Sequence, residues 1–247
     1  MIYITGDTHR EFDRIQQFCQ KAGTSKSDLL IILGDAGINY YPGFRDHYVK
    51  TTLSQLPITL FCIHGNHEIR PATLKSYQEH PFMGGTAYIE PDFPSLVFAK
   101  DGQIYDFAGK RTLVVGGAYS IDKDRRLEFG WGWWPDEQPS HEIRQQVEAE
   151  LTDNDWTVDI VLSHTCPLGY EPHEVFLPSV KQSTIDKSTE MWLDSLEKKL
   201  HYDHWYCGHF HTEKVIDKMV FLFESIRLWP NSERRDLHEE DADPFQA

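Results

Sequence analysis

Long apolar runs are missing from this 247-residue chain: none approaches the roughly 18 residues that a membrane helix needs, so no spanning helix is expected. Cysteine is sparse and scattered. Cys19, Cys62, Cys166 and Cys207 form no C-x-x-C pair and sit in apolar or strand-like surroundings, which points to buried reduced thiols. Positive charge is also short, with 24 Lys and Arg against 39 Asp and Glu, a formal net charge of −15 and a pI near 5.2. That balance argues against a long nucleic acid as partner, and an anionic ligand would need a local basic site or bound cations. The opening "MIYIT" enters a strand-like run with no basic region or small-residue cleavage site ahead of it, so no secretory leader and a cytoplasmic location are expected. Repeats at solenoid or propeller periods are absent.

What remains is an ordinary globular composition, with 40% hydrophobic and 26% charged residues. Residues 1–230 are expected to form one domain. The acidic stretch 231–247 has little to bury and is expected to be a mobile tail. Short aliphatic strand-like runs recur at 1–5, 28–33, 58–63, 112–118, 159–164 and 204–209. Helical spacing separates them at 12–22, 44–56, 139–152 and 187–200. Such alternation predicts α/β. Between 86 and 118 and between 214 and 228 the pattern changes to strand pairs with turn signals, at "KDGQ" and around Asp217 and Lys218, so the sheets should be mixed. The segment 121–140 places three of the seven tryptophans beside a basic cluster, with glycine and proline expected to break any regular element. It reads either as a loop pinned by its aromatics or as a wall over a substrate.

Polar residues interrupt the ends of the apolar runs in a repeated way. Asp7 and His9 stand in "GDTH", Asp35 in "LGDAG", Asn66 and His67 in "HGNHE", His164 in "LSHTCP", and His209 and His211 in "CGHFH". Singly these are weak: a lone G-D is usually a turn, and a strand-end histidine is usually a hydrogen-bonded structural residue. His209 and His211, two apart, point to one side of an extended segment, although one could be structural and the other superficial. Open α/β sheets bind ligands at the carboxyl ends of their strands, so the whole set could meet in one crevice. Asp, Asn and His without thiolate form a mixed oxygen and nitrogen donor set suited to manganese, iron, zinc or nickel.

The ordered set D-x-H, G-D, G-N-H-E, H, G-H-x-H, from residue 6 to residue 211, resembles the calcineurin-like metallophosphoesterase superfamily. The resemblance implies a four-layer αββα sandwich, two mixed β-sheets flanked by helices, with a dinuclear metal centre on the strand-end loops. It implies Asp7, His9 and His211 as ligands of one metal and Asn66, His164 and His209 as ligands of the other. Asp35 would bridge them, and His67 would be the catalytic histidine near the leaving group. Two divalent ions are expected, manganese first, with iron, zinc or nickel as alternatives. Two cations about 3.5–4 Å apart need an anionic bridge, and a water shared between them becomes a nucleophile for in-line attack on phosphorus.

Two positions depart from the commonest family pattern. Ile38 stands where many members have a second Asp that orients the histidine of G-N-H, so His67 needs another orienting group; Glu68 is near in sequence. Arg10 stands where glycine usually follows D-x-H. It would either grip a phosphate oxygen or pair on the surface with Glu11 or Asp13. Arg125 and Arg126 could supply positive charge above the metals or form a surface salt-bridged loop with Asp122 and Asp124. Tyr119 and Asp122 are further pocket candidates, and His64 reads as structural or supporting. The expected function is phosphomonoester or phosphodiester hydrolysis, with a lean towards a small or nucleotide-like substrate. A protein phosphatase, a one-metal hydrolase and an inactive binding protein on the same fold are the alternatives.

Overall fold

The computed structural model describes residues 1–230; the stretch expected to be a mobile tail lies outside the described residues. Among the described residues, thirteen strands make two mixed sheets. The first contains β1 (Ile2–Thr5), β2 (Leu29–Ile32), β3 (Thr59–Cys62), β4 (Gln78–Phe82), β5 (Gly85–Ile89), β6 (Leu96–Ala99) and β13 (Arg227–Leu228), in the order β13-β1-β2-β3-β6-β5-β4. The second contains β7 (Ile104–Phe107), β8 (Lys110–Val115), β9 (Ile160–Ser163), β10 (His204–Cys207), β11 (Lys214–Ile216) and β12 (Met219–Phe221), in the order β11-β12-β10-β9-β8-β7. The helices are α1 (Asp13–Ala22), α2 (Phe44–Leu53), α3 (Lys123–Phe129), α4 (His141–Asp153) and α5 (Ser188–Glu197).

Side-chain alternation along each strand sorts the core into three apolar layers. Ile4, Ile31, Phe61, Leu162, Tyr206 and Val220 meet between the sheets. Their strand neighbours turn the other way: Leu30, Ile32 and Leu60 pack on Ile15 and Cys19 of α1 and on Val49 and Leu53 of α2. On the far side, Leu113, Val161 and Trp205 pack on Val147 and Leu151 of α4 and on Leu193 and Leu196 of α5. The result is the αββα sandwich. Both central blocks, β1-β2-β3-β6 and β8-β9-β10-β12, are parallel.

Three local expectations change. "KDGQ" does not close a hairpin: it carries the chain from β6 in one sheet to β7 in the other, because Leu96–Ala99 and Ile104–Phe107 find partners in different sheets. The turn around Asp217 does join an antiparallel pair, β11 with β12. The 121–140 segment is not devoid of regular structure. Lys123–Phe129 forms a short helix that ends at Gly130, whose φ of +66° suits glycine. Finally, β4 escapes sequence patterning because Pro81 interrupts it, which an edge strand tolerates. All four cysteines are free and buried. Among the described residues, no helix is long and apolar enough to cross a membrane.

Candidate metal centre

Parallel strands end on the same side, so the loops after β1, β2, β3, β9 and β10 converge. They bring together all seven residues of the expected donor set. Oδ2 of Asp7 lies 3.6 Å from Nε2 of His9 and 3.3 Å from Nε2 of His211, and the two histidine nitrogens are 2.9 Å apart. A second group surrounds Oδ1 of Asn66, with Nε2 of His164 at 2.8 Å and Nδ1 of His209 at 3.1 Å. Asp35 stands between them: its Oδ1 is 3.8 Å from Nε2 of His164 and its Oδ2 is 3.8 Å from Nε2 of His9. Three subsets have donor atoms close enough to hold one ion: Asp7, His9 and His211; His9, Asp35 and His67; and Asp7, Asp35 and His164.

The donors suit cations. Oδ2 of Asp7 is buried without a hydrogen-bond partner, an expensive state for a carboxylate unless something positive faces it. Nδ1 of His164 donates to the Leu33 carbonyl at 2.8 Å, which turns Nε2 towards Oδ1 of Asn66, whose amide donates instead to Ser120 at 2.9 Å. Nε2 of His164 and Oδ1 of Asn66, 2.8 Å apart, are both atoms that can face a cation. Burial alone would raise Asp7, but His164, with His211 and His9, outweighs it and holds the carboxyl well below its usual range. Burial likewise opposes ionisation of Asp35, yet His164 and His67 keep it low. His209 is pushed down to about 3 by burial and the neighbouring His164, so it is neutral. Ionised carboxylates and a neutral imidazole are the forms that bind metal.

Glycines beside these residues make room for residues of other motifs. A Cβ on Gly34 would sit 2.1 Å from Nδ1 of His164, one on Gly65 2.0 Å from Oδ1 of Asp35, and one on Gly208 2.2 Å from Oδ1 of Asp7. Backbone strain is concentrated here too. His9, Arg10, Asp35, His209 and His211 all have left-handed φ, between +44° and +73°, a costly conformation for non-glycine residues.

Arg10 therefore tolerates strain where glycine would relax it. Its guanidinium lies over the Tyr41 ring at 5.0 Å, and among the described residues no ion pair joins it to Glu11 or Asp13. It lines an opening of about 220 Å³ together with Tyr40, Tyr41, Arg126, His9 and His67. Arg126 is buried against the site, with Nη2 3.1 Å from Nδ1 of His67. Arg125 is not brought in; it is exposed over Phe129 and Trp131. Tyr119 and Asp122 line a larger cavity of about 420 Å³ that opens on His9, Asp35 and Asn66. His67 borders both openings, Nδ1 3.5 Å from Oδ2 of Asp35 and Nε2 3.6 Å from Oδ1 of Asp122. Glu68 turns inward instead, accepting from the Gly65 N–H at 2.8 Å, and burial raises its carboxyl well above the usual range. His64 is buried and neutral, its ring outside the donor groups.

Sequence reasoning missed the outer wall of the larger cavity. Between β9 and α5 a long loop carries Val175, Phe176, Leu177 and Val180 to the site. Its signal was present as the apolar string "VFLPSV" inside an otherwise polar connection. The exposed Trp131, by contrast, stacks on Phe129 away from the donors, while Trp133 is tied to Glu137.

The protein is similar in structure to TT1561 of Thermus thermophilus, at 15% identity and a TM-score of 0.46, over 90% of this chain and 87% of that one. It is also similar to AQ665 from Aquifex aeolicus, a protein of unknown function, at 15% identity and a TM-score of 0.34, over 69% of this chain and 81% of that one. No curated protein matches the sequence. The calcineurin-like phosphoesterase pattern matches residues 1–213, and the chain belongs to that family.

Proposed function

We propose that the protein is a dinuclear metal-dependent phosphoesterase acting on a small phosphomonoester or phosphodiester. The observation that carries this reading is the position of Asp35, one oxygen facing His164 and the other facing His9, between two complete groups of donors. Asp7, His9 and His211 would hold one ion, Asn66, His164 and His209 the other, and Asp35 would touch both. When bound, two divalent ions supply an acidified water as nucleophile and neutralise charge on the phosphoryl oxygens. Manganese is the first choice, with iron, zinc or nickel as alternatives for this donor set.

The chain's own residues do the rest. His67 sits at the rim of the donor groups, where its imidazole can give a proton or hydrogen bond to the departing alkoxide. Asp122 and Arg126 hold that ring from opposite nitrogens. Arg10 and Arg126 give the opening local positive charge on a chain whose net charge is −15. Four unpaired cysteines suit a reducing compartment such as the cytoplasm.

The test is a matrix of Mn, Fe, Zn, Ni and Mg against para-nitrophenyl phosphate, its bis ester and a nucleotide panel, with Asp35→Ala as control. Metal-dependent turnover that Asp35→Ala abolishes is the expected result. Turnover that survives Asp35→Ala would rule out the two-metal reading.

A further inference from the structure

The larger cavity beside the donor groups has an unusual wall. Its volume of about 420 Å³ falls in the range of small-molecule sites, about 300–1,000 Å³. Away from the donors its lining is Val175, Phe176, Leu177, Val180, Ile185 and Phe210. Leu177 is 54% exposed and Val175 37%, and both lie outside the strands. Phe176 and Phe210 stack on each other with centroids 6.3 Å apart, extending the apolar surface from the loop to the residue between His209 and His211. Apolar side chains left open next to a charged centre mark the place of an organic group.

With one exception, the charged groups of this wall away from the donors are paired, Asp122 with Arg126 among them. Glu171 pairs with Lys187 at 2.7 Å, and the Lys187 ammonium lies over the Phe176 ring at 5.1 Å. Gln182 adds an amide. Glu190 is the exception. It is 4% exposed, and its Oε1 accepts from Oγ1 of Thr165 at 2.8 Å, while its Oε2 is buried with no partner. A buried carboxylate oxygen without a partner is desolvated with nothing in return, so its place beside a cavity calls for a donor from outside the chain.

We infer that this cavity takes the organic group of the phosphoester, and that the group is a ring-sized, largely apolar moiety carrying one N–H or O–H donor that meets Glu190. The inference rests on the phosphoesterase reading for the phosphoryl end alone. Polyhydroxylated groups such as sugars and glycerol are disfavoured, because an apolar wall leaves their hydroxyls unpaired. Shape and chemistry are shared by nucleobases and by substituted phenyl rings, and the ligand series separates them.

The experiment measures binding of hydrolysis-resistant phosphonates to the Mn-loaded protein by calorimetry: phenylphosphonate, its meta- and para-hydroxymethyl derivatives, hydroxyethylphosphonate, and a phosphonate analogue of adenosine monophosphate. An aryl group should bind about tenfold or more tighter than hydroxyethyl, as expected from burying a ring. At pH 8, where the Glu190 carboxyl is ionised, one hydroxymethyl isomer or the adenosine analogue should gain about tenfold again through Glu190, in line with hydrogen bonds to charged groups. Glu190→Gln, which keeps size and the Thr165 bond, should erase that second gain. Leu177→Asp, an exposed change that leaves the core intact, should weaken all aryl ligands together. Equal affinity for hydroxyethyl and aryl phosphonates, or a donor gain that persists in Glu190→Gln, would overturn the inference. Turnover is measured in parallel: no metal-dependent hydrolysis of any ester would sink the phosphoesterase reading, while the phosphonate affinities decide the cavity's ligand independently.

Discussion

Nε2 of His67 faces Oδ1 of Asp122 across 3.6 Å, and that same oxygen accepts from Nε of Arg126 at 2.8 Å. The other ring nitrogen, Nδ1, faces Nη2 of the same arginine at 3.1 Å. Asp122 and Arg126 thus meet His67 at its two ring nitrogens, with Oδ2 of Asp35 also 3.5 Å from Nδ1. Burial would raise the Asp122 carboxyl, but His67 and Arg126 outweigh it and keep it well below the usual range. Ile38, meanwhile, is fully buried in the layer between the first sheet and its helices. Beside Asp35, the carboxylate that faces His67 therefore comes from the loop after β8 and not from position 38.

Replacing Asp122 by Asn should therefore loosen His67 without removing it. The expected outcome is a fall in kcat of about 10–100-fold on esters with poor leaving groups, with little change in KM. Arg126→Lys should recover less than the native activity, since an ammonium cannot reach His67 and Asp122 in the same fork geometry. Steady-state kinetics on esters of graded leaving-group pKa check this. A change confined to KM would show that Asp122 contacts substrate and does not orient the histidine.

Gly65→Ala should mimic a ligand mutation although Gly65 offers no donor. Its new Cβ would meet Oδ1 of Asp35 at 2.0 Å, and that carboxylate is held on one side by the His67 N–H at 2.8 Å. Overpacking of this kind costs about 1–3 kcal/mol. Metal content should fall to the level of Asp35→Ala, and the double variant should lose no more than either single one. Elemental analysis after gel filtration checks it.

Arg10→Gly should stabilise the fold while weakening the substrate complex. The native φ of +73° suits glycine, so relief of strain should add about 1 kcal/mol to unfolding free energy. Loss of the guanidinium at the smaller opening should raise KM severalfold. Denaturant unfolding and KM together check the pair of effects. Greater stability with unchanged KM would leave Arg10 as a strained residue without a phosphate role.

Burial raises the Glu190 carboxyl from 4.5 to about 7, a shift that makes stability depend on pH. The folded state binds the proton more tightly than the unfolded chain, so this group's destabilisation is absent below about pH 4.5 and grows as pH rises towards and past 7. Glu190→Gln should thus gain stability over the native protein at pH 8 and little at pH 5, by at most a few kcal/mol. Thermal melts of both proteins at the two pH values check it. An equal difference at both would mean that Glu190 does not titrate in that window.

Most strands, helices α1, α2, α4 and α5 and the residues of the proposed donor set were legible because local chemistry announces them; β4 and α3 were not. Aliphatic runs of four to six residues mark buried strands, and a polar residue beside glycine at the end of each marks a loop rather than more core. The residue pattern also gave the arginine at position 10 its oddity, since the need for positive φ can be suspected wherever a turn expects glycine. Partnership was not legible. Nothing local ties Gly65 to Asp35, Gly34 to His164 or Asp122 to His67, because these pairs meet only when parallel strands, neighbours in one sheet for the first pair and from two sheets for the others, end side by side. "KDGQ" reads as a hairpin turn for the same reason: its own residues say that the chain bends, not which sheet receives the next strand. Composition and spacing by themselves determined the α/β class and the kind of atoms available for chemistry, through periodicity and side-chain type. Tertiary structure alone decided what those atoms face, from the donors grouped around Asp35 to the unpaired oxygen of Glu190 beside an apolar cavity, because distance in space is set by how the two sheets pack and not by distance along the chain.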